Sequence, residues 1–95
     1  MVVGILKLTL FLADNHSLKG KRSAVARIKG RVSHRFNASV TECDAQDLWQ
    51  KAVLGFSIAG SDSKVVDSSL RHVARFVEAM ELAEVVGEEI EIFNC

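Results

Sequence analysis

Proline is absent from this 95-residue sequence, cysteine appears twice, and no apolar run is long enough to cross a bilayer. The missing proline excludes collagen-like and proline-rich linker sequences, and 48% hydrophobic with 25% charged residues is the makeup of a globular chain. Cys43 and Cys95 lie far apart without metal-ligand spacing, so no disulfide framework is expected and the thiols are read as reduced. The opening MVVGILKLTLFLAD is short, interrupted by Lys7 and without the basic start of a signal peptide. It reads as a strand, which leads to an expectation of a cytoplasmic protein with no membrane contact.

Catalytic signatures are missing too. There is no glycine-rich phosphate loop and no nucleophile motif. His16, His34 and His72 lack metal-ligand spacing. Asp44 and Asp47 flank a turn, where carboxylates serve turn geometry before acid–base chemistry. A non-enzymatic protein without cofactor or metal is expected.

Acid is scarce in one part of the chain. Through Arg35, eight cations (Lys7, Lys19, Lys21, Arg22, Arg27, Lys29, Arg31 and Arg35) face Asp14 alone, a net +7. The whole sequence is neutral, so the remainder carries −7. This asymmetry implies a dipolar molecule whose basic side suits polyanions.

What is present patterns cleanly. Even positions from Val2 to Leu12 are apolar around Gly4, the period of a strand. Ser17 can cap a helix in which Leu18, Val25, Ile28 and Val32 repeat at heptad-like spacing, ending near Phe36 and Asn37. Ala38 to Cys43 and Leu48 to Ile58 read as a hairpin around the polar turn Asp44–Asp47. Gly60, Ser61 and Asp62 can start a second helix with Val66, Leu70, Val73, Val77 and Met80 inward, and Asp67–Arg71 and Arg75–Glu78 as internal ion pairs. Glu84 to Cys95 alternates again, with acids that suit an edge strand.

The βαββαβ order predicts one α+β domain over residues 1–95, a ferredoxin-like four-stranded antiparallel sheet with both helices on one face. The other face would display Val3, Ile5, Phe11, Trp49, Val53 and Phe93, more apolar area than a small monomer usually leaves wet. A partner protein or a second copy is the expectation there.

In this topology the end of the first strand, the start of the first helix and the hairpin turn meet at one end of the sheet. Lys19, Lys21 and Arg22 then lie near Asp47, Trp49, Gln50 and Lys51, with Phe11 and Trp49 as a cross-strand aromatic pair. Cations in a helix's first turns oppose its dipole by about 0.3–1 kcal/mol each, which a phosphate would reverse. Arg27, Lys29, Arg31 and Arg35 extend the basic row. The expected ligand is RNA backbone, or a ribosomal particle, bound by Lys19, Lys21, Arg22, Arg27, Lys29, Arg31, Arg35, Trp49, Gln50 and Lys51. Charge reversal at Lys21 and Arg22 is expected to weaken binding with little loss of stability. The alternative is a protein-interaction or homodimerisation module using the open face through Val3, Ile5, Phe11, Val53 and Phe93.

MVVGILKLTL, SLKGKR from Ser17, RFNASVTE from Arg35 and QDLWQKAVLG from Gln46 resemble the YlxP-like family of bacterial proteins of unknown function, across nearly the whole chain. The resemblance implies a ferredoxin-like fold and a link to translation initiation or ribosome maturation. It directs attention to Lys19, Lys21, Arg22, Asp47, Trp49, Gln50 and Lys51. Gly20 and Ala45 depart from the family's pattern, the latter where a histidine is frequent.

Overall fold

The alternation at the start of the chain becomes β1 (Val2–Phe11), which turns Val2, Leu6, Leu8 and Leu10 inward. The computed structural model describes residues Met1–Cys95 and continues with α1 (Leu18–Arg35), β2 (Ser39–Asp44), β3 (Lys51–Gly60), α2 (Ser63–Ala79) and β4 (Glu84–Asn94). Ser17 caps α1 from an extended conformation, its hydroxyl accepting from the Gly20 N–H at 3.0 Å. Asp62 caps α2 in the same way, accepting from Lys64 N–H at 2.8 Å. Each cap satisfies donors that a helix start leaves unpaired, about 1 kcal/mol apiece.

The strands form one sheet in the order β2-β3-β1-β4, every neighbouring pair antiparallel. β4 is an edge strand, as its acids predict, and β2 is the other. Both helices pack on the face carrying Leu6, Leu8, Leu54 and Phe56, with Ile28, Val32, Val66, Leu70 and Val73 completing a continuous core. Fully burying side chains of this size contributes about 1.5–3 kcal/mol each. α2 lies close against the sheet because β1 and β3 offer it glycines. A Cβ on Gly4 would run into Val66 and Leu70, and one on Gly60 would reach Val66 Cγ2 at 2.8 Å.

The hairpin differs from expectation at one end. β3 begins at Lys51, so Leu48, Trp49 and Gln50 belong to the connection, in which Ala45 takes a positive φ of 60°. No helix is long and apolar enough to cross a membrane.

Candidate nucleic-acid interface

Three segments do meet at one end of the sheet, held by Lys21. Its ammonium is fully buried and donates to the carbonyls of Ala45 (2.7 Å), Gln46 (3.2 Å) and Lys51 (3.2 Å), with Glu42 Oε2 at 2.9 Å. An ammonium has three N–H donors, and here main-chain oxygens of the hairpin and one carboxylate surround them. Lys21 therefore ties α1 to the β2–β3 hairpin and cannot meet a phosphate. The expectation that it lies on a binding surface, and that its reversal would spare stability, is corrected. Its place on the helix explains this: Lys21, Val25, Ile28 and Val32 are the buried residues of α1, one stripe at helical spacing.

A second set of bonds stitches the loop after β1 to the hairpin. Asn15 Nδ2 donates to the carbonyls of Ser17 and Trp49, Leu12 N–H to Gln50 O at 2.8 Å, and Gln50 Nε2 to Ala13 O at 3.4 Å. Gln50 is thus engaged within the protein. Trp49 is 48% exposed and its aromatic partner is His16, edge-on at 6.3 Å, rather than Phe11. Phe11 lies opposite Lys51 in the β1–β3 register, and Lys51 takes the phase of the open sheet face, away from α1. The predicted cluster therefore divides: Lys21 and Gln50 hold the loops, Lys51 faces the other side, and Lys19, Arg22 and Trp49 remain exposed.

The rest of α1 is more informative. The helix contains no acidic residue, and none of Lys19, Arg22, Arg27, Lys29, Arg31 or Arg35 is in a salt bridge. α2 behaves oppositely: Arg71 pairs with Asp67 at 2.9 Å, and Arg75 pairs with Glu78 and Glu88. The α1 cations also do not share one face. Arg22 and Lys29 border β2 and share a shallow hollow with Glu42. Arg31 and Arg35 turn to α2, their guanidinium carbons 5.6 and 5.4 Å from the Phe76 ring centre, and Arg35 lies 5.9 Å from that of Phe36. Such cation–π contacts are worth roughly 0.5–1 kcal/mol when exposed. Beside the α1 start a groove of about 470 Å³ is lined by Asp14, Glu78, Glu81 and Glu84 with apolar walls.

The open face is mixed. Val3 pairs with Phe93 in the β1–β4 register and Ile5 is exposed, but Val53 is only 6% exposed, closed in between Thr9 of β1 and Asp44 at the β2 bulge. Val53 therefore offers no area to a partner, against expectation. Lys7 and Glu89, directly opposite, form an ion pair at 3.1 Å across the middle of the face. The hydrogen bond and charge of Glu89 hold the Lys7 ammonium above the ordinary lysine value. Between Ile5, Thr41 and Cys43 the missing side chain of Gly55 leaves a hollow of about 340 Å³.

Comparison with known proteins places these features in context. Residues 3–90 match the family described as "Protein of unknown function (DUF503)". The chain is 31% identical over 78 residues to the uncharacterized protein YlxP of Bacillus subtilis, covering 82% of this chain and 85% of that protein. Among solved structures, the de novo designed protein Foldit4 superposes with a TM-score of 0.52 at 12% identity, covering 98% of this chain and 94% of that one. That likeness concerns the fold alone.

Proposed function

The chain belongs to the DUF503 family, a YlxP-like group whose function is unknown, and from its surface we propose a cytoplasmic, non-enzymatic accessory protein that binds RNA, as free ribosomal RNA or within a ribosomal particle. One observation carries the reading: α1 exposes a set of lysines and arginines without a single acid on the helix or a salt bridge to any of them. Unpaired surface cations release condensed counterions when they meet a phosphate backbone, and that release drives sequence-independent association. Compensation on α2 argues that the imbalance on α1 is not a general habit of this surface.

Co-sedimentation with purified ribosomal subunits and their precursors tests the proposal. Binding is expected to weaken by about tenfold or more between 50 and 200 mM salt, and to be lost with Arg27→Glu and Arg31→Glu together. Both residues are exposed, so circular dichroism of the variant should match that of the parent. Binding that is indifferent to both salt and these reversals would sink the reading.

A second reading, a homodimer through the open sheet face, is favoured by the exposed Ile5 and Phe93, with half-buried Val3 paired to Phe93 in the register. Sedimentation of the dilute protein separates the two.

A further inference from the structure

Within that basic surface, we propose that Arg31 and Arg35, with the bare backbone at Gly30, form a discrete subsite for a phosphodiester of RNA. This inference rests on the RNA-binding reading and narrows it to one flank of α1.

Three observations converge there. First, the two guanidiniums are held, not free: both lie within 5.6 Å of the Phe76 ring centre, and Phe76 is fixed edge-on against Phe36 at 5.5 Å, with both rings packed on the core. The cation–π contacts bring the two groups, one helical turn apart on α1, to the same ring, while no carboxylate or carbonyl takes their N–H donors. Planar guanidiniums with free donors match the geometry of phosphate oxygens. Second, Gly30 sits mid-helix where a Cβ would meet nothing within 4 Å. Internal packing does not require that glycine, and a glycine in a helix interior is unfavourable. Its usefulness is outward: with Arg31, His34, Arg35 and Phe76 it floors a shallow hollow of about 260 Å³, where a ligand can approach the helix backbone. Third, this flank is free of acid, whereas Arg22 and Lys29 border Glu42 and the start of α1 adjoins the carboxylate-lined groove. The arginines already occupy positions over Phe76, so the site suits a phosphate rather than a base stacked on that ring.

The test compares two neutralisations of equal charge on opposite flanks. Affinity for a short single-stranded oligoribonucleotide is measured by fluorescence anisotropy at fixed salt for the parent, for Arg31→Gln/Arg35→Gln and for Arg22→Gln/Lys29→Gln. The first pair is expected to weaken binding tenfold or more and the second no more than threefold. Arg31→Lys/Arg35→Lys, which keeps charge but not the planar, forked donors, is expected to lose at least half of the logarithmic effect. Amide shifts in the parent on titration should be largest from Gly30 to Arg35. Equal losses from the two flanks, or full retention by the lysine pair, would overturn the subsite while leaving RNA binding intact. No binding by the parent protein would overturn the RNA reading itself, and the subsite with it.

Discussion

Taking an ammonium out of water forfeits hydration worth several kcal/mol even after relaxation, and Lys21 makes up the difference with three carbonyls and a carboxylate. Removing the ammonium while keeping the stem, as in Lys21→Met, strips the Lys21 donor from Glu42 and from the main-chain oxygens of Gln46 and Lys51, while Ala45 O keeps the Leu48 N–H at 3.0 Å. Loss of one member of such a buried pair typically destabilises by about 3–5 kcal/mol. Glu42 keeps 18% of its side-chain exposure, so part of its hydration survives and the lower end, about 3 kcal/mol, is expected. Urea unfolding checks this, and a midpoint unchanged from the parent would refute the role assigned to Lys21. Adding Glu42→Leu should restore only a fraction, because the carbonyls of Gln46 and Lys51 still lack the Lys21 donor. The residue looked like a surface cation in the sequence because lysine is almost never fully buried. The signal was nonetheless present, since Lys21 continues the Val25, Ile28, Val32 stripe one turn toward the helix start.

At the scale of elements, periodicity and caps made nearly all of the architecture legible. Ser17 and Asp62 start the helices, and alternation marks β1 and β4, because these cues depend on residues close in the chain. The start of β3 was not legible. Leu48 and Trp49 are apolar enough to extend the strand, but they belong to a connection whose path is set by bonds from distant residues, Lys21 and Asn15. Val53 was misjudged for a related reason. Alternation gives the face a strand residue points to, not what closes over it, and here the neighbouring strands and the bulge at β2 do so. The open face that remains still bears on oligomerisation. Strands of 10, 6, 10 and 11 residues, about 4.8 Å apart, present roughly 600 Å² of sheet, and two copies approach the lower limit of a standard interface. A dimer built there would have to cover the Lys7–Glu89 pair, which opposes it through desolvation. If the face is a dimer interface, sedimentation of dilute protein shows a dimer that persists at raised salt and that Ile5→Lys converts to a monomer with the parent's circular dichroism and a lower, concentration-independent melting temperature. A monomer at all concentrations removes that reading.

For the whole molecule, zero net charge and a sequence pI near 6.8 conceal a division between a basic helix and an acidic final strand. Whether RNA, on the proposed reading, would respond to the total or to the local charge is a question of distance. α1 packs toward β2, at one edge of the sheet, while Glu89 and Glu91 lie on β4 at the other edge and on the open-face phase. Helix layer and sheet are about 10 Å apart, and three strand spacings add about 14 Å laterally. Both separations equal or exceed the Debye length of about 8 Å at physiological salt, so carboxylates on β4 are screened from a phosphate on α1. Glu89→Gln with Glu91→Gln raises the net charge by two, yet RNA affinity is expected to change less than twofold. Arg31→Gln with Arg35→Gln lowers the net charge by two and is expected to weaken binding severalfold or more. Anisotropy titrations of both variants against one oligoribonucleotide at 150 mM salt make the comparison. Changes equal in size and opposite in sign would mean that binding follows net charge, and that α1 is not the surface RNA meets.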